Sequence, residues 1–169
     1  MDRRGRYEFF AQQYEAYLSR VLNYVRLRVD DEALAQDLTA RTFERALTHI
    51  DSVRDLDAFG GWLFRIARNV VAGYYRRRVP EIPLEWAADQ AAPDPSPESG
   101  AEHAEELQTL RRVLTSLSER EREIIRLRFV AELPHREIAQ AMGLRPGHVA
   151  VILYRALNKL REQFEREGI

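Results

Sequence analysis

Apolar and aromatic side chains recur every three or four residues at Phe10, Tyr14, Tyr17, Val21 and Tyr24, which predicts a helix over residues 7–29. The acidic pair Asp30 and Asp31 breaks that period, and either can cap the next helix. This second helix, over about 32–48, carries Leu34, Leu38, Ala46 and Leu47 on one side. The polar stretch "THIDSVRDLD" then turns the chain into a third helix ending in "WLFRIARNVVAGYYRRR", residues Trp62 to Arg78. None of the three can bury its stripe alone, so residues 1–78 read as one small bundle.

The period then vanishes. Five of the seven prolines fall in "VPEIPLEWAADQAAPDPSPESG", which reads as a linker over 79–101. Leu84 and Trp86 are large residues for a linker and are expected to dock on a domain or a partner. Helical character returns over 102–169. Ser118 with Glu121 three residues later forms a capping-box pattern ahead of Ile124, Ile125 and Leu127. Gly143 and Pro146 punctuate two further helices. Period-two alternation is sustained nowhere, so the expected fold is all-α: two small helical domains on a proline- and acid-rich linker. With such a linker their separation is expected to vary in the free chain.

Within "LPHREIAQAMGLRPGHVAVILYRALNKLRE" the order of residue types is specific. Ala139 is small where two helices would touch, Gly143 suits a turn needing positive φ, and Val149 and Ile152 would pin a second helix. These are the requirements of a helix-turn-helix, although an ordinary helical hairpin also uses glycine turns. With Val149 and Ile152 inward, Arg145, Gly147, Ala150, Val151 and Tyr154 face a DNA groove. Arg155 and Lys159 are placed for phosphates. The groove face has little charge, so it can touch thymine methyls yet offers no bidentate base contact.

Charge sharpens the picture. The chain of 169 residues has net charge −1, yet the segment Trp62 to Arg78 holds five arginines and no acid. From Val79 to Leu110 the reverse holds, with eight acids and no Lys or Arg. A balanced total therefore hides basic surfaces. On a helical wheel Trp62, Leu63, Ile66, Ala67, Val70 and Tyr74 share one face. Arg65, Arg68, Asn69 and Arg76 gather opposite, with Tyr75 at the border. An arginine face without acid partners, beside a tyrosine, suits the backbone and unstacked bases of single-stranded nucleic acid.

Other chemistry is excluded or unsupported. There is no cysteine, hence no disulfide, thiolate zinc site or cysteine nucleophile. The four histidines lack metal-ligand spacing, and no phosphate loop, nucleophile elbow or HExxH motif occurs. No metal, no cofactor and no enzyme activity are expected. Neither a signal peptide nor a membrane span is legible, so the expected location is cytoplasmic without membrane insertion.

Two blocks resemble a known family. "AQDLTARTFERAL" followed by "WLFRIARNVVAGYYRRR" looks like the second conserved region of extracytoplasmic-function (ECF) sigma factors of bacterial RNA polymerase. "LSEREREIIRLRFVAELPHREIAQAMGL…HVAVILYRALNKLRE" looks like the fourth. The resemblance implies a protein that binds core polymerase and is a monomer when free, with promoter DNA and an anti-sigma factor as further partners. The first domain would dock on the polymerase clamp through Asp37, Leu38 and Arg41. It would meet the −10 element through Arg65, Arg68, Asn69, Tyr75 and Arg76, while the turn from Thr48 to Gly61 captures an unstacked base. The second domain would read the −35 element through Arg145, Gly147, His148, Ala150, Val151, Tyr154, Arg155 and Lys159. Two departures stand out: Ala40-Arg41 where the family often has Gln-Glu, and a recognition helix without its usual Thr, Lys and Arg. The competing reading is a helix-turn-helix regulator that acts without polymerase. It would need a sensor domain, and no βαβ pattern is present.

Overall fold

A computed structural model of the chain describes residues 1–78 and 112–168. The linker over 79–101, with Leu84 and Trp86, lies outside those residues. Helix α1 (Arg3–Arg26) starts at Asp2, whose carboxylate accepts from the Gly5 N–H at 2.9 Å. Helix α2 (Glu32–Thr48) starts at Asp31, which accepts from the N–H groups of Ala33 and Leu34. These carboxylates satisfy donors that a helix start leaves unpaired. Two short 3₁₀ turns, Ile50–Ser52 and Leu56–Ala58, lead into α3 (Phe59–Arg78).

The first block closes around α3. Leu63, Phe64, Ala67, Val70 and Val71 are buried against Val21, Tyr24 and Val25 of α1 and Leu38, Phe43 and Ala46 of α2. Edge-on aromatic pairs lock the layers, including Phe9–Phe59 at 5.4 Å and Tyr24–Phe64 at 5.5 Å. Thr39 and Thr42 turn inward because each hydroxyl donates to the carbonyl four residues back, Ala35 and Leu38.

In the second block α4 (Glu119–Ile125) carries the capping box between Ser118 and Glu121. It runs on through a π-helical turn, Arg126–Val130, closed by the Ala131 N–H on the Arg126 carbonyl at 3.0 Å. Helix α5 (His135–Met142) ends at Gly143, whose φ of +67° an L side chain rarely adopts. Helix α6 (Pro146–Glu167) begins with proline in its first turn, where no N–H is missed. Ile124, Leu127, Leu133, Ile138, Ala139, Val149, Ile152 and Leu153 form the interior of this block.

The two blocks do not stand apart. Helix α3 lies along α5, α1 meets the end of α4, and one continuous core spans both. The expectation of a variable separation overlooked this contact. Its cause is a set of side chains, Arg68 and Glu123 among them, whose partners lie more than fifty residues away in sequence.

Candidate nucleic-acid interface

The arginine helix has three faces rather than two. The apolar face is buried as the wheel predicts. Arg65, Asn69 and Arg76 are exposed together, with Arg77 and Arg78 beyond them at the helix end. Among the described residues no carboxylate pairs with Arg65 or Arg76. Three cations in the last turn also complement the negative end of the helix dipole. Arg78 donates to the Tyr74 hydroxyl at 2.6 Å.

Arg68 departs from this group. Its Nε donates to Glu123 Oε1 at 3.0 Å and its Nη1 to the Ala141 carbonyl at 2.8 Å, both in the second block. It sits one side-step around the helix from Arg65, on the face that α4 and α5 cover. Tyr75 also differs from the expectation: it is half-buried, and its hydroxyl donates to the Arg28 carbonyl. Burial pushes its phenol above the ordinary range. The wheel put both at an exposed arginine face because it cannot see a neighbour from another element. Gly60 and Gly61, read as the end of a base-capturing turn, are instead buried in the first turn of α3.

The helix-turn-helix forms as its residue order predicts. Ala139 is 2% exposed, and the chain turns at Gly143 so that the Leu144 N–H reaches the Ala139 carbonyl at 2.8 Å. Val149 and Ile152 are buried. Arg145, Gly147, His148, Val151, Tyr154 and Arg155 are exposed along α6, and Ala150 is half-buried among them. Tyr154 is 69% exposed, a large apolar ring held in solvent. Lys159, expected among the phosphate contacts, is exposed and carries an ion pair. Its ammonium donates to Glu121 Oε1 at 2.7 Å, tying α6 to α4. Burial raises the Glu121 carboxyl, but the bonds from Lys159 and Ser118 outweigh it and the group is held below the usual carboxylate range.

On α2, Asp37 and Arg41 are exposed and paired with each other at 3.0 Å. Leu38, placed with them as a clamp contact, is completely buried and belongs to the core. One residue on from Asp37, the helix has already rotated its side chain inward. Arg41, Glu44, Arg45, Thr48 and His49 line a shallow depression on the outward side.

Sequence reasoning missed Glu123. Its carboxylate is 2% exposed and accepts from the Tyr24 hydroxyl at 2.6 Å, Arg68 at 3.0 Å, Arg28 at 2.8 Å and Arg126 at 3.1 Å. Burial pushes this carboxyl up, but the charges of Arg28, Arg68 and Arg126 and the Tyr24 bond pull it further down, to a net depression. Within "SEREREI" Glu123 looks like one more acid on a solvated helix. The glycine pair at 60–61 signals only the neighbouring close approach to Glu137, since glycine in a helix is less favourable than alanine by about 1 kcal/mol each.

Models of two families match the chain in this order: Sigma-70 region 2 over residues 13–80 and Sigma-70 region 4 over residues 113–162. The chain is 33% identical over 162 residues to the ECF RNA polymerase sigma factor BldN of Streptomyces coelicolor, covering 92% of this chain and 60% of BldN. It is 30% identical to the RNA polymerase sigma factor YlaC of Bacillus subtilis, with 90% of each chain covered. Among solved structures, the sigma factor RpoE of Bartonella quintana, in complex with the anti-sigma factor NepR, superposes with a TM-score of 0.63 at 25% identity. That match covers 92% of this chain and 96% of RpoE. CnrH, solved with the cytosolic domain of CnrY, shares the fold with a TM-score of 0.64 at 24% identity, over 93% of this chain and 88% of CnrH.

Proposed function

The chain belongs to the sigma-70 family of RNA polymerase sigma factors, in its ECF branch, and on that premise we propose how its residues divide the work. Residues 1–78 bind the polymerase core and the −10 element, 79–101 link, and 102–169 bind the −35 element. Exposed Asp37 and Arg41 on α2 face the clamp. Arg65, Asn69 and Arg76 on α3 hold the opened −10 strand. The arginines neutralise phosphates, whereas the Asn69 amide can pair with a base edge and so carries sequence preference. On α6, Arg145 and Arg155 hold backbone phosphates while Val151 and Tyr154 read thymine methyls. The chain catalyses nothing itself and works in the cytoplasm. Among the described residues no helix is long and apolar enough to cross a membrane. An anti-sigma factor is a further partner, by likeness to RpoE, which was solved with one.

The observation that carries this reading is the pair of matched regions in order, one presenting an acid-free arginine surface and the other an exposed recognition helix. A regulator acting without polymerase has no use for the first. The test is run-off transcription by core polymerase over a promoter library, with and without this chain. Specific transcripts and co-migration with core on gel filtration are expected; a chain that never shifts core and yields no transcript overturns the proposal.

A further inference from the structure

The first helix clasps the turn between α2 and α3 from behind. Ile50 and Val53 are 1% and 4% exposed, and burying them draws their backbone carbonyls away from bulk water, where each needs a donor. The Ile50 carbonyl accepts from the Val53 N–H at 3.3 Å, which closes the 3₁₀ turn. Arg6, near the start of α1, supplies the rest. Its Nη1 donates to the Ile50 carbonyl at 3.1 Å and to the Val53 carbonyl at 3.2 Å. One guanidinium thus ties the first and last residues of the turn to a helix that begins more than forty residues earlier. The Arg6 side chain is half-buried, and its Nε lies 3.9 Å from Asp51 Oδ1, a loose pairing.

Between the two clasped carbonyls, Asp51 and Ser52 are exposed. The Ser52 hydroxyl gives its proton to the His49 carbonyl at 2.7 Å, so toward solvent it can only accept. Asp51 is a carboxylate with most of its side chain in water. The tip therefore presents side-chain acceptors and no side-chain donor. A phosphate is repelled there. The donor that a nucleic-acid strand does offer is the exocyclic amino group of adenine or cytosine, and a carboxylate is a suitable acceptor for it. Thymine puts a carbonyl oxygen at the equivalent place, which a carboxylate repels. Opening the strand frees that amine from its Watson–Crick partner. Arg65 lies ~9 Å along α3 from Phe59, where the turn ends, at ~1.5 Å per residue, so one strand can meet both.

We infer that Arg6 is a positioning residue for promoter opening: it fixes the turn at 50–53 so that Asp51 and Ser52 accept a hydrogen bond from the amino group of an unstacked −10 base. Arg6 itself touches no DNA, because its cation is spent on two carbonyls. The clasp stands on the geometry alone; its consequence for promoters rests on the sigma-factor reading.

The test compares Arg6→Ala, Arg6→Lys, Asp51→Ala and the double variant of Arg6→Ala with Asp51→Ala, each in the full chain. The readouts are run-off transcription with core polymerase over promoters carrying every base at each −10 position, the salt dependence of open-complex formation, and amide exchange over residues 51–57. Asp51→Ala should lower the preference for adenine or cytosine over thymine at one −10 position by about fivefold. Arg6→Ala should relax the same position, with the double variant no worse than Arg6→Ala alone, because both changes act on one contact. Arg6→Lys keeps a donor at the end of its stem and should fall between. The salt slope should stay that of the intact chain, whereas an Arg6 that binds phosphate would flatten it when removed. Asp51→Ala alters only an exposed side chain, so it reads the tip even if Arg6→Ala fails to fold, and Arg6→Lys then reads the clasp. Unchanged base preference in Asp51→Ala or in a folded Arg6→Ala, or a flattened salt slope in Arg6→Ala, overturns the inference. If the intact chain yields no promoter-specific transcript, the sigma-factor reading falls instead. The clasp is then judged by exchange alone: faster exchange over 51–57 in the Arg6 variants upholds it, and unchanged exchange refutes it.

Discussion

A carboxylate buried as deeply as Glu123 loses several kcal/mol of hydration and persists only where cations surround it. Arg28, Arg68 and Arg126 provide that charge, and Tyr24 adds a fourth donor. Because its carboxyl is depressed where the two blocks pack, its contribution is fully present above the ordinary glutamate range and is lost as pH falls through the lowered value. Glu137 has the opposite sign. Burial holds its carboxyl above the ordinary range, opposed by the Gly61 N–H and by Arg20 and Arg136, with Asp55 adding to the rise. Its ionisation therefore weakens the contact between the blocks as pH rises from the ordinary range through the raised value. The packing of the two blocks is expected to follow a bell against pH, read as a minimum in radius of gyration by scattering. Glu123→Gln should remove the tight state, at a cost of up to roughly 3–5 kcal/mol, limited by the option of opening to re-solvate the arginines. Glu137→Gln should flatten only the arm on the higher-pH side. Leu38 makes a contrasting case: Leu38→Ala leaves a cavity in the first block and should cost about 2–5 kcal/mol by thermal melting, without a specific effect on clamp binding.

At the scale of elements, α3 shows what periodicity can and cannot deliver. The wheel separated Val70 and Leu63 from Arg65 and Asn69 correctly, because a 3.6-residue period assigns faces without knowing what they meet. It misplaced Arg68 and Tyr75, whose partners Glu123, Ala141 and Arg28 come from other elements. The lack of acid partners thus holds among the described residues for Arg65 and Arg76, whereas Arg68 meets Glu123 of the second block. The helix-turn-helix was legible almost entirely, since Ala139, Gly143, Val149 and Ile152 are constrained within one short stretch of chain. Lys159 was not, because its partner Glu121 lies 38 residues back. The exposed trio on α3 yields a separable outcome. Arg65→Ala and Arg76→Ala should each flatten the salt dependence of open-complex formation on every promoter, with stability changed by no more than about 0.5 kcal/mol. Asn69→Ala should alter which −10 sequences are used at unchanged salt slope. Open-complex yields over a salt series on two −10 variants check both.

At the scale of the molecule, the all-α class and the two blocks could be read from the chain, while their mutual packing could not. Packing is decided by complementary surfaces, here a glycine notch against the α5 backbone and cations against Glu123, and these leave no period in the sequence. The same division runs through the candidate site: Arg65, Asn69 and Arg76, proposed to meet DNA, are exposed as the helical period places them. Residues that join the blocks were hidden among ordinary charges. The most direct test of the central claim, that this chain opens promoters through the exposed face of α3, is permanganate reactivity of −10 thymines in complexes with core polymerase. The intact chain should make those thymines reactive. Combined replacement of Arg65, Asn69 and Arg76 by alanine should abolish the reactivity while thermal stability and core binding persist. Undiminished reactivity in that triple variant, or none with the intact chain bound to core, would contradict the account.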